Sequence, residues 1–316
     1  MKRDFVIDVY RVCLMFGICL LHAITQGGHN VSWAGNMLQW CVPGFMFISG
    51  WYGIKFSIDK VFRLYGISLY CAAVFVVFDS VIHSFVGYLL WSDCLLRVYK
   101  IAIGQWFLNA YVVVMCLAPI INLAIERMPI KELYPLVLLV FGWSFATTLP
   151  ISGFIPSSPG LTAYSSLTLL GVYIVARFSR RLYDEEGRFF EIVSNKMVML
   201  LILAVSLIMA AIGLGDYNSP FAVAVASSVF FLLKNCNIST WVGNACVWIG
   251  PSMFSVYLVH SHGQAWGYLK AIEDMLLAHS LPLPMVYMLT AIVVFGVCLL
   301  ADLPRCIMVK FIRRVR

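Results

Sequence analysis

Apolar windows of about 18 to 25 residues, each long enough to cross a bilayer, follow one another along almost the whole chain. Lipid offers no water to satisfy backbone N–H and C=O groups, so such windows fold as helices. They are read near 5–25, 34–54, 62–88, 106–125, 133–150, 162–178, 197–214, 219–234, 247–268 and 284–311. The expected fold is all-α, a polytopic integral membrane helix bundle of about ten transmembrane helices. It forms one transmembrane domain over residues 1–316. Composition agrees. The chain is 62% hydrophobic and 12% charged, with a mean hydropathy of +0.90, where soluble domains carry about 25% charged residues. No soluble domain of normal size fits between the spans.

The net charge of +7 follows membrane topology and does not indicate nucleic acid as a partner. With the N-terminus inside, one set of segments holds Lys2, Arg3, Lys55, Lys60, Arg63, Arg127, Lys131 and the run from Arg177 to Lys196. Lys234 and the basic C-terminal end from Arg305 to Arg316 fall on the same side. The opposite segments hold only Arg97, Lys100 and Lys270. The positive-inside rule then places both termini in the cytoplasm and makes the helix count even. The expected location is the cytoplasmic (inner) membrane, multi-pass. The first apolar run is too long and too charged for a cleaved signal and reads as a retained span. Residues 179–196 read as a solvated charged connector, and 89–105 as an amphipathic interfacial helix. The uncharged Pro/Gly/Ser-rich stretch 150–161 reads as an outer loop that could line a substrate mouth or equally serve as an ordinary connector. Cys13, Cys19, Cys41, Cys71, Cys116 and Cys298 fall within spans with no CxxC pair, so they read as small packing residues.

The first span carries Asp8, Arg11 and His22. Ionisable residues inside a span are costly and by default mark function. Eleven residues separate Arg11 from His22, roughly three turns plus 20°, so both lie on one stripe about 16 Å apart along the axis. The plain alternative is an Arg snorkelling to a headgroup and a His satisfied by a neighbouring helix. Depth counting gathers His22, Asp79, His83, Asn109 and His260 in the outer third of the bundle, at similar heights but unknown azimuth. Neutral His titrates close to working pH and suits a general base. A carboxylate such as Asp79 could orient the ring, while Asp79 and His83, at i and i+4, equally suit a structural pair. Arg11, Lys55, Lys60 and Arg63 cluster at the inner ends, where Arg and Lys are natural partners of phosphate. A cytoplasmic nucleotide-bearing donor would suit them, although the topology rule alone accounts for most of them.

Three motifs carry a resemblance. Ile7-Asp8-Val9-Tyr10-Arg11 is followed, after ten residues, by His22; Gly44-Phe45-Met46-Phe47-Ile48-Ser49-Gly50-Trp51 lies in the second span; Lys60 and Arg63 open the third. Weaker echoes are Trp106-Phe107-Leu108 with Tyr111, Tyr257-Leu258-Val259-His260 and the basic C-terminal end. Together they resemble acyltransferase family 3, whose members move acyl groups, commonly acetyl, from cytoplasmic acyl-CoA to glycans or small molecules. The resemblance implies His22 as catalytic base, Arg11 as its essential partner, and Lys60 and Arg63, with Arg11, as contacts to the CoA. Lys60 stands where the family carries Arg.

Two function classes compete. The first is a membrane acyltransferase, an O-acetyltransferase in its simplest form. It would take acetyl-CoA as donor and a hydroxyl of a cell-envelope glycan or lipid-linked sugar as acceptor. Asn109 is then a candidate for the oxyanion site, Trp106 and Tyr111 for sugar-facing aromatics, and His260 and His83 for further acceptor-site residues. No metal is expected; membrane lipids are partners, and a homo-oligomer is left open. The alternative is a proton-coupled transporter relaying through Arg11, His22 and Asp79. The lack of a convincing internal repeat counts against it.

Overall fold

The computed structural model describes residues 5–82, 91–146, 166–217 and 219–315, and among them the chain is helical with no strand. The helices are α1 (Phe5–Gln26), α2 (Ser32–Asn36), α3 (Cys41–Tyr52), α4 (Ile58–Ile82) and α5 (Trp91–Ile103). They continue with α6 (Trp106–Arg127), α7 (Ile130–Ala146), α8 (Ser166–Glu185), α9 (Gly187–Ser194) and α10 (Lys196–Met209). The last five are α11 (Pro220–Lys234), α12 (Thr240–Ile249), α13 (Met253–His260), α14 (Gly263–Ala278) and α15 (Leu283–Val315).

Six stretches among the described residues are long and apolar enough to cross a membrane: α1, α4, α6, Lys196–Leu214, Thr240–His260 and Leu283–Ile312 within α15. The other four expected spans coincide with helices that are shorter or more polar. α3 has 12 residues because the chain spends residues 37–40 in turns before it, and α11 has 15. α8 runs beyond the expected end at 178 and carries the charged segment to Glu185.

That segment corrects the reading of 179–196 as a connector. It is helical, as the end of α8 and all of α9. Arg180–Asp184 (2.8 Å) and Arg181–Glu185 (2.9 Å) pair at i,i+4, a spacing that supports helix. Arg181 also donates to the carbonyls of Ile125 and Met128 at the end of α6, groups that have no partner within their own helix. A second shift concerns the window 247–268. The helix stops at His260, and His262 takes an extended conformation (φ −125°, ψ 153°) before α14 begins. The amphipathic stretch 89–105 does contain a helix, α5, whereas 150–161 lies outside the described residues.

Two compact units share the chain. The first comprises residues 1–14, 31–56 and 106–243. In it α3 packs along α8. The two backbones touch at Gly50, where a Cβ would fall 2.6 Å from the Tyr173 carbonyl oxygen. Trp51, 1% exposed, sits in a cluster of Phe47, Tyr183, Phe230 and Phe231 with ring centroids 5.2 to 6.3 Å away. Arg180 and Lys234 lie over its ring at 5.2 and 5.8 Å, within cation–π range. The aromatic run in the Gly44–Trp51 motif is thus core for this unit. Tyr10 donates to the Ala226 carbonyl (2.6 Å). Ile54 N–H donates to Tyr173 Oη (3.0 Å), Tyr173 Oη to Asn122 Oδ1 (2.7 Å), and Asn122 Nδ2 to the Ile54 carbonyl (3.1 Å). This closed circuit satisfies the backbone where α3 has ended.

The second unit comprises residues 15–30, 57–105 and 244–316. α4 packs on α5 and α13, and α15 lies against α13, α14 and α4. Ala72, Phe75, Val76, Ile101, Ala102 and Ala265 form a buried cluster at the α4–α5–α14 junction. Ser68 donates to the Ala102 carbonyl (2.8 Å), closing the end of α5. None of the ten cysteines, all of them among the described residues, is in a disulfide.

Candidate active site

The second unit gathers three histidines on different parts of the chain. α1 carries His22, the end of α13 carries His260, and the break before α14 places His262. The ring centroids of His22 and His260 are 5.0 Å apart, and the Trp266 ring lies 6.4 Å from His22. His260, 3% exposed, is held at both nitrogens. Nδ1 lies 2.5 Å from the Val256 carbonyl, which can only accept, so Nδ1 carries the hydrogen. Nε2 faces Cys19 Sγ at 3.7 Å. His22 differs: its Nδ1 is buried and makes no hydrogen bond, and neither does Trp266 Nε1. Buried polar atoms nearly always find partners, so two orphans beside one imidazole mark a place built for a polar ligand. His262 stands edge-on to Phe75 at 4.3 Å. Burial pushes its ring down to about 4, which keeps it neutral near pH 7.

A bracket holds the end of α13. Gln105, 3% exposed, donates to the Leu258 carbonyl (3.3 Å) and accepts from Ser261 Oγ (3.1 Å). Just past α1, the Gly28 N–H donates to Glu273 Oε2 (2.9 Å). A Cβ on Gly27 would fall 2.0 Å from that carboxylate, so any larger residue there would displace the Glu273 side chain. Glu273 is fully buried with Oε1 unpartnered, and Tyr287 Oη donates to the His29 carbonyl.

Asp79 is engaged elsewhere. It accepts from Arg97 (2.7 Å) and from Tyr268 Oη (2.7 Å), and Arg97 also reaches Gln264 Oε1 (2.8 Å). This network ties α4, α5 and α14 together. Trp106, Asn109 and Tyr111 all stand on α6 in the first unit, where Ser49 Oγ approaches Tyr111 Oη at 3.5 Å. His83 lies outside the described residues. Arg11, also in the first unit, is 44% exposed in its side chain and lies 3.9 Å from Asp8 Oδ1. The sequence reading missed Trp266, Cys19, Gln105 and Glu273. None of them carried a sequence signal: Glu273, for example, stands beside Asp274 and three residues after Lys270, as a carboxylate on a solvated face would.

Lys60 and Arg63 open α4 and are exposed. Arg63, Arg305 and Lys310 line a cavity of about 1020 Å³ walled by α4, α12 and α15, with mostly apolar side chains below the cations. Such a site fits a donor with phosphates and a long arm. The Arg63 guanidinium and the Lys310 ammonium could meet anionic oxygens, and the apolar walls could receive the rest. Arg305 is braced by a bidentate pair with Asp302, at 2.6 and 2.7 Å.

No curated protein and no solved structure matches the chain. A family model described as an acyltransferase domain matches residues 5–303, nearly the whole length. The chain therefore belongs to acyltransferase family 3, a family of membrane acyltransferases.

Proposed function

We propose that this protein transfers an acyl group from cytoplasmic acyl-CoA to a hydroxyl of a cell-envelope glycan or a lipid-linked sugar, with His22 as general base. The protein would work as a multi-pass protein of the inner membrane with both termini in the cytoplasm, as the Lys and Arg distribution favours.

The observation that carries this reading is the uncommitted, buried Nδ1 of His22 next to His260 and Trp266, in a chain of an acyltransferase family. A hydroxyl hydrogen-bonded to that nitrogen would lose its proton as its oxygen attacks the thioester carbonyl. The new C–O bond forms as the C–S bond breaks. The CoA thiolate leaves and takes the proton back from the imidazolium, so the ring ends the cycle neutral. Lys60 and Arg63 would bind the donor's anionic part.

The test uses the full chain in lipid nanodiscs, with release of free CoA from acyl-CoA as readout. His22→Ala should lower turnover about 100-fold or more, the scale of lost acid–base catalysis, while acyl-CoA binding persists. A His22→Ala protein that binds donor and turns over at the normal rate removes His22 from the chemistry. A wild-type protein that accumulates an acceptor in vesicles without consuming acyl-CoA is a transporter.

A further inference from the structure

A second cavity of the second unit, about 400 Å³, opens beside the histidines. Its walls come from α4, α14 and α15 and from the end of α13. At its buried side stand His260, Leu269 and Cys298, 1 to 3% exposed; at the other stand Phe78, Met275 and Val297, 44 to 57% exposed. It is a groove that starts at the partner of His22 and runs to the outer surface of the helices. No Lys, Arg, Asp or Glu is among its lining residues, and the Tyr268 hydroxyl is already given to Asp79.

We infer that this groove holds the hydrocarbon chain of the donor's acyl group, and that the group transferred is longer than acetyl. The inference rests on the acyl-transfer reading above. The reacting carbonyl must lie at His22, and the chain attached to it must go somewhere. The groove begins at His260, whose ring centroid lies 5.0 Å from that of His22, so it is the apolar space next to a carbonyl held at His22. Its lack of any cation argues against a phosphate-bearing occupant such as the headgroup of a lipid-linked sugar, and its apolar walls suit methylenes. At roughly 30 Å³ per water-sized group, the groove takes on the order of ten carbons. An acetyl group would leave most of it unfilled.

The test measures binding of acyl-CoAs from acetyl to dodecanoyl by competition against radiolabelled acetyl-CoA, on the full chain in phosphatidylcholine nanodiscs. Each added methylene should tighten binding about fourfold, the ~0.8 kcal/mol of a buried CH2, up to a limit near ten carbons. Chain uptake by the nanodisc is common to all variants, so the groove is read from their ratios. Val297→Trp, at the exposed mouth, should cut the decanoyl-to-acetyl affinity ratio tenfold or more, and Phe78→Ala should move the limit to longer chains. If Val297→Trp fails to fold, Ala271→Phe makes the same measurement from another exposed lining position. Ratios that stay the same in wild type and variants overturn the groove assignment while leaving acyl transfer intact. So does a variant that loses only the use of a lipid-borne acceptor, because the groove would then hold the acceptor's tail. A wild-type protein that binds no acyl-CoA of any length overturns the transfer reading itself, and this assignment with it.

Discussion

Removing Arg305 should destabilise the protein far more than removing a typical surface charge. Asp302 is 1% exposed, and its two carboxylate oxygens face Arg305 at 2.6 and 2.7 Å. Beyond this pair, Cys306 Sγ lies 3.3 Å from Oδ2 and the hydroxyls of Ser252 and Ser255 also reach the carboxylate, but all three are neutral and leave its charge without a counter-ion. Arg305→Ala therefore strands a buried charge. Breaking such a pair from one side costs about 3–5 kcal/mol, or a fall of roughly 5–10 °C in the unfolding midpoint for a chain of this size. Removing both partners is a different perturbation, because no charge is left to bury. The double variant Asp302→Asn with Arg305→Met should recover most of the loss. Arg305→Lys should fall between, since an ammonium keeps the charge and loses the fork. Thermal unfolding in one detergent, followed by tryptophan fluorescence and by monodispersity after heating, measures all four proteins. A midpoint for Arg305→Ala within about 2 °C of wild type would refute the reasoning. A double variant no more stable than the single one would do the same, because the penalty would then not be the stranded carboxylate.

Lys60→Ala combined with Arg63→Ala should weaken acyl-CoA binding tenfold or more, as lost charge-assisted contacts to phosphate predict. The deficit should shrink at high salt because both residues are exposed, and unchanged donor affinity would reduce the pair to a topology signal. Glu273 gives a pH dependence whose sign follows from its burial, which raises its carboxyl above the ordinary range against the pull of the Gly28 N–H. A raised folded-state value means stability that is full below the unfolded value and declines as pH rises through the folded one. Glu273→Gln should flatten that decline in a series of thermal midpoints from acid to neutral pH, and parallel curves for the two proteins would reject the assignment.

The helices with long uninterrupted apolar runs were legible from sequence. Windows such as Phe5–Gln26 and Trp106–Arg127 have no competing structure in lipid, so length and composition suffice. Windows governed by local chemistry were read less well. The charged run after Phe178 looked like a connector because its Arg–Asp and Arg–Glu spacing was counted as charge and not as i,i+4 pairing. The break at His262 was hidden because an apolar window does not register one extended residue. At the site, depth along each helix placed His22 and His260 at similar heights, and the two rings do meet. Azimuth is set by packing with distant chain segments. Asp79 could therefore be assigned a height but not the Arg97 and Tyr268 that occupy it, and Trp266 and Cys19 could not be found at all.

The bond from His260 Nδ1 to the Val256 carbonyl has a consequence for where protons travel. A relay histidine receives on one ring nitrogen and releases from the other. His260 cannot do this while its Nδ1 hydrogen is spent on the backbone of its own helix and its Nε2 faces a thiol. It stands next to His22 as an insulator. In the proposed reaction, a proton lifted from the acceptor hydroxyl would therefore stay on His22 until the departing sulfur collects it, and each turnover would balance its own protons without drawing on the water at either face of the membrane.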